Sequence, residues 1–138
     1  RELEHSYPDR VRALIAYDRD LSKRIYAAAD LFLMPSKSEP CGLSQMIASR
    51  YGTVPITRET GGLADSIHGY YEDKGKLCGN GFTFANYSEA ELRDRIIAAL
   101  DLYNNTDKWS ALVKKIMNID FSWNVSAKKY IELYDGLC

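Results

Sequence analysis

The sequence has little of what builds metal sites. Its 138 residues contain three cysteines, Cys41, Cys78 and Cys138, with no C-x-x-C pair and an odd one left over. The two histidines, His5 and His68, lie far from the cysteines along the chain. No zinc site is therefore expected, and the cysteine usage fits a reducing cytoplasm. An excess of charge is also missing, because 18 Lys and Arg face 19 Asp and Glu for a net charge of −1. A general nucleic-acid binder needs surplus basic residues to neutralise phosphates, so no nucleic-acid partner is expected. No apolar run is long enough to span a bilayer and no signal-peptide pattern opens the chain, so no membrane partner is expected either. An initial Met is lacking too, and "RELEHSYPDR" reads as the interior of a longer protein.

What is present alternates in period. "VRALIAY" (Val11 to Tyr17) is β-branched and apolar enough for a buried strand. Asp18 or Asp20 can then cap a helix with Leu21, Ile25, Ala28 and Ala29 on one face. "LFLM" (Leu31 to Met34) is a continuous apolar run, as in a strand covered on both sides. Leu43, Met46, Ile47 and Tyr51 fit the stripe of a helix that Gly52 ends. "TVPIT" predicts a strand, "GGLADSIHGYY" a helix and "GNGFTF" a turn into another strand. Strands and helices alternating at this spacing predict an α/β domain with a mostly parallel sheet and flanking helices.

The last third is helical. Ser88 with Glu91 forms a capping-box pattern ahead of Leu92, Ile96, Ala99, Leu100 and Tyr103. Thr106 is placed to cap a helix with Trp109, Leu112, Val113, Ile116 and Met117 inward. After "DFSW", a final helix puts Ala127, Tyr130, Ile131 and Tyr134 on one side. With no repeat, low-complexity tract or linker, residues 1–138 read as one domain.

The stretch "SKSEPCGLSQ" stands after one strand and before a helix, where an open α/β sheet binds ligands. Gly42 lets backbone approach a ligand closely, and free N–H groups near Leu43 and Ser44 favour an anion. Glu39 would repel a phosphate but suits sugar hydroxyls, since a charged hydrogen bond contributes roughly 1.5–3 kcal/mol. The next strand ends likewise, in Thr60, Gly61 and Gly62. Two such junctions, one acidic and one glycine-rich, suit a sugar joined to a diphosphate.

The series "SEPCGL…YGTVPI…TGGLAD", with "DRDLSKRIYAAAD" before it and "DFSWNVSAKKYIELY" after it, resembles the C-terminal domain of bacterial glycogen synthases and plant starch synthases. The resemblance covers nearly the whole chain. It implies a retaining GT-B glycosyltransferase with two Rossmann-like domains, transferring glucose from ADP-glucose to the non-reducing end of an α-1,4-glucan. No catalytic metal or other cofactor is implied.

Carried onto this sequence, the resemblance makes Glu39 the essential carboxylate, holding the 3- and 4-hydroxyls of the donor glucose. Backbone amides of Cys41 and Gly42 would hold the same sugar, and those of Leu43 and Ser44 the diphosphate. Tyr17 would pack on adenine, while Thr60, Gly61 and Gly62 line the cleft. The Cys41 thiol is expected to pack quietly, and Cys78 and Cys138 have no assigned task. Lys37 and Ser38 stand where many members carry Arg and Phe, and Ile47 where related families place a second glutamate. The family's diphosphate-binding Arg and Lys fall upstream of residue 1, with the whole N-terminal domain that would complete the site in cis. A UDP-sugar transferase and a non-catalytic nucleotide- or glucan-binding module are the alternatives.

The family's strand order, 3-2-1-4-5-6, makes Val11–Tyr17 the third strand and "LFLMPS", "TVPIT" and "GFTF" the fourth to sixth. The first two strands are then absent, and the bare edges are expected to meet another copy of the chain or rearrange.

Overall fold

Short apolar runs become strands where a neighbour can complete their hydrogen bonds. The structure, a computed structural model, describes residues 1–137; Cys138 lies outside the described residues. In chain order come α1 (Glu2–Ser6), α2 (Arg19–Ala28), β1 (Leu31–Met34), α3 (Ser44–Tyr51), β2 (Val54–Arg58) and α4 (Gly62–Ser66). Then follow β3 (Tyr71–Asp73), β4 (Lys76–Cys78), β5 (Phe82–Phe84), α5 (Glu89–Tyr103), α6 (Thr106–Met117) and α7 (Trp123–Asp135). β1, β2 and β5 make a parallel sheet in that order, as the sequence predicts. Leu31 lies opposite Val54 and Met34 opposite Thr57, while Arg58 lies opposite Phe84. This register puts the loops that leave β1 and β2 at the same end of the sheet.

The core joins the sheet to the late helices. Val54, Ile56 and Phe82 are buried against Ala99 and Leu102 of α5 and Leu112 and Ile116 of α6. Fully burying one such aliphatic side chain contributes about 1.5–3 kcal/mol, so this cluster anchors the sheet that carries the site. Leu92, Ile96, Trp109 and Val113 pack against it as their spacing predicts. Leu100 and Tyr103 of α5, where Leu102 takes the inward position, and Met117 of α6 are instead partly exposed, Tyr103 with its ring edge-on to Trp109.

The predicted strand at Val11–Tyr17 does not form, although its residues are β-branched and apolar. Among the described residues no strand lies beside it, and an unpaired strand gains no ladder hydrogen bonds. Leu14, Ile15 and Tyr17 are exposed there. β1 is likewise an edge strand, with β2 on one side alone. No helix among the described residues is long and apolar enough to cross a membrane.

Several helices turn differently from their predicted stripes. In α3 the buried residues are Gln45, Ala48 and Ser49, and Leu43, Ile47 and Tyr51 are exposed. In α2, Tyr26 packs on Phe32 and Tyr51 while Ile25 is exposed. The α7 stripe of Ala127, Tyr130, Ile131 and Tyr134 is exposed throughout. The helix predicted over "GGLADSIHGYY" stops at Ser66 because buried Asn80 meets its end. Asn80 Nδ2 donates to the Ser66 carbonyl at 2.9 Å, and its Oδ1 accepts the His68 N–H at 2.6 Å. Tyr71 to Cys78 then form a β3–β4 hairpin that the sequence reading missed.

The caps are largely legible. Asp18 accepts the N–H groups of Asp20 and Leu21, as predicted. Asn105, rather than Thr106, caps α6 through the Lys108 N–H. The capping box is half made, since Ser88 accepts the Glu91 N–H while the Glu91 carboxylate takes the N–H groups of Ala85 and Asn86.

Candidate functional site

The loops after β1 and β2 meet in close contact. The Gly62 N–H donates to the Pro40 carbonyl at 3.2 Å. Gly61, at φ +47°, sits so near Glu39 that an added Cβ would lie 2.1 Å from the Glu39 carbonyl oxygen. An added Cβ on Gly62 would lie 2.5 Å from the Cys41 Cα. The sequence reading expected these glycines to line a cleft. Their lack of side chains lets the two loops touch, Gly61 against the backbone of Glu39 and Gly62 against that of Pro40 and Cys41.

Gln45 supports the first loop from inside. Its Nε2 donates to the carbonyls of Cys41 at 3.2 Å and Gly42 at 2.9 Å, and to Ser66 Oγ at 3.0 Å. Ser66 Oγ in turn donates to the Gly62 carbonyl at 2.7 Å. In a planar trans peptide the N–H points opposite to the carbonyl. With the Pro40, Cys41 and Gly42 carbonyls all engaged within the fold, the N–H groups of Cys41, Gly42 and Leu43 point the other way. None of the three has an acceptor among the described residues. Leu43 gives α3 no side-chain cap, so the Ser44 amide is also left for an outside acceptor. The N–H groups of Cys41, Gly42, Leu43 and Ser44 are thus all left without an acceptor among the described residues.

Glu39 is half-buried on the same loop, and its carboxylate enters no ion pair among the described residues. A carboxylate and outward amides on one short loop can bind hydroxyls and an anion together. Cys41 is exposed, not packed away as expected, because its peptide rather than its thiol is held inward. Tyr17 is 96% exposed, and no ring contact joins it to the loops. A cavity of about 650 Å³ lined by Met46, Asp65, His68 and Phe121 lies elsewhere, and none of Glu39, Cys41 and Gly61 lines it. Among the described residues no group of His, Cys, Asp and Glu is arranged to hold a metal ion.

Sequence reasoning missed Gln45, Ser66 and Arg58. For Gln45 a signal existed: it shares a face with Ala48 and Ser49, small residues that allow close packing.

The glycosyl transferases group 1 family matches residues 2–116. Glycogen synthase of Bacillus licheniformis is 51% identical over 134 residues, covering 97% of this chain and 27% of that protein. Glycogen synthase of Lachnospira eligens is 53% identical over 138 residues, with 99% and 28% covered. The chain thus spans little more than a quarter of these relatives' length. Among solved structures, the catalytic domain of starch synthase IV from Arabidopsis thaliana, bound to ADP and acarbose, is similar at a TM-score of 0.84. It shares 46% identity, covering 97% of this chain and 28% of that one. Sucrose-phosphate synthase from Thermosynechococcus elongatus shares the fold, at a TM-score of 0.67 and 23% identity over 99% of this chain and 33% of that one.

Proposed function

The chain belongs to the group 1 glycosyl transferases, and from that premise we propose that it is the donor-binding part of a longer glycogen synthase. The reaction moves glucose from ADP-glucose to the non-reducing end of an α-1,4-glucan with retention. The observation that carries the reading is the half-buried Glu39 carboxylate standing beside the outward amides of Cys41, Gly42 and Leu43. Glu39 accepts the 3- and 4-hydroxyls of the glucose, each charged hydrogen bond contributing roughly 1.5–3 kcal/mol. The Cys41 and Gly42 amides hold the same sugar, and those of Leu43 and Ser44 receive the diphosphate. The exposed ring of Tyr17 is free to stack on adenine, and Thr60 borders the sugar.

In the transfer, the bond from the anomeric carbon to the diphosphate oxygen breaks and the glucan hydroxyl bonds to that carbon from the same face. The hydroxyl proton leaves with the ADP side. Negative charge accumulates on the departing diphosphate, where fixed amides stabilise it without reorganising. One helix terminus contributes only about 0.3–1 kcal/mol toward an exposed anion, so cations from the rest of the longer protein complete the site. Its N-terminal domain supplies the opposite wall, and the reducing cytoplasm is its setting.

The test is transfer by the full-length protein carrying this chain. ADP-glucose should give glucose incorporation into glycogen, at higher kcat/KM than UDP-glucose. A preference for UDP-glucose would change the donor, and binding without transfer would make the chain a non-catalytic module.

A further inference from the structure

Arg58, the last residue of β2, ties together the ends of all three parallel strands. Its Nε donates to the Ser36 carbonyl at 3.0 Å and its Nη2 to the Lys37 carbonyl at 2.5 Å, both just after β1. Its Nη1 reaches the Ala85 carbonyl at 3.2 Å, just after β5. The guanidinium also lies 6.0 Å from the centre of the Tyr87 ring. No carboxylate pairs with it among the described residues, so its charge remains at this end of the sheet.

Two consecutive carbonyls turned toward Arg58 fix the two peptides that contain them. The N–H groups of Lys37 and Ser38 must then point away from Arg58. Neither has an acceptor among the described residues. The loop is thus held at two places by donors that sequence reasoning missed, Arg58 behind Ser36–Lys37 and Gln45 behind Cys41–Gly42. Glu39 lies between them.

We propose that Arg58 is a positioning residue for the donor, fixing the Ser36–Glu39 half of the loop so that the Lys37 and Ser38 amides and the Glu39 carboxylate face the sugar nucleotide. The inference rests on the function proposed above. A planar fork is needed, because three carbonyls in different directions cannot be held by the single nitrogen of a lysine.

The experiment measures KM for ADP-glucose, KM for glycogen, kcat and Tm in the full-length protein with Arg58→Ala and Arg58→Lys. Arg58→Ala should raise the donor KM at least about tenfold and leave the glycogen KM unchanged, with Arg58→Lys in between. A merely structural role would lower the active fraction, and so kcat, without moving the donor KM. If Arg58→Ala does not fold, Arg58→Lys carries the test through the same raised donor KM. An unchanged donor KM in a folded variant would overturn the inference alone. A wild-type protein that transfers nothing from ADP-glucose would overturn the proposed function and this inference with it.

Discussion

Gly61 and the backbone of Glu39 occupy space that admits no additional atom, with 2.1 Å between an added Cβ and the Glu39 carbonyl oxygen. The atom in the way is backbone, so rotamer changes cannot relieve the clash. Gly61 also has φ +47°, in the left-handed region that disfavours L side chains. Gly61→Ala should therefore cost about 1–3 kcal/mol from overpacking, with backbone strain in addition. Urea unfolding of the two forms checks the loss, and equal midpoints would contradict the close approach.

Gln45 gives a sharper chemical test. Its nitrogen faces three acceptors, so Gln45→Glu would place a buried oxygen against oxygens. Gln45→Met removes the donors and should cost about 1–3 kcal/mol, and Gln45→Glu should cost more. The order of the urea midpoints, Gln above Met above Glu, is the expected result; a tolerated Glu would contradict the assigned amide orientation.

Glu72 should contribute to acid sensitivity, beside Glu91 and Asp120, whose carboxyls are also held below their ordinary values, chiefly by hydrogen bonds from Asn86 and Ser122. The Lys108 ammonium at 2.7 Å, and then the Tyr70 hydroxyl, hold the Glu72 carboxyl below the ordinary carboxylate value of 4.5. A depressed carboxyl stabilises the fold above its unfolded pKa and loses that contribution as pH falls through the lower folded value. Lys108→Met should thus destabilise at pH 7 and lose most of that effect at pH 3, as read by urea titrations at both pH values. Tyr70 carries the opposite sign, because burial and then Glu72 push its hydroxyl up to about 12. That contribution is present below its usual value and fades as pH rises toward 12.

The 138-residue chain by itself should neither elongate glycogen nor remain monomeric. The outer edge of β1 has unpaired backbone groups and Leu33 is 48% exposed beside it. Such an edge invites pairing with a second copy. Incubation with ADP-glucose and glycogen should give no incorporation above a blank, and light scattering should report a mass above that of one chain. A stable, active monomer would contradict both expectations.

The legible parts of this fold were those whose partners lie within the chain. "LFLM", "TVPIT" and "GFTF" form the sheet because each finds a neighbour, whereas "VRALIAY" has the right residues and no neighbour. Periodicity misled at α3, where Leu43 and Ile47 are exposed and a glutamine is buried, because the small residues Ala48 and Ser49 permit closer packing than the large ones. The hairpin after α4 was hidden because Asn80, far along the chain, ends that helix. For the proposed site, Glu39 and the Cys41–Ser44 amides are the groups that the motif itself offers. The supports behind them, Gln45 and Arg58, could not, because their roles depend on which carbonyls the fold brings within reach.

The most direct test of the central claim is the turnover of full-length protein with Glu39→Ala, measured with ADP-glucose and glycogen beside its melting temperature. The half-buried carboxylate has no ion-pair partner among the described residues, so its removal should cost the fold little. The account predicts turnover lower by about a hundredfold or more with a nearly unchanged Tm. Near-normal turnover at an unchanged Tm would contradict it.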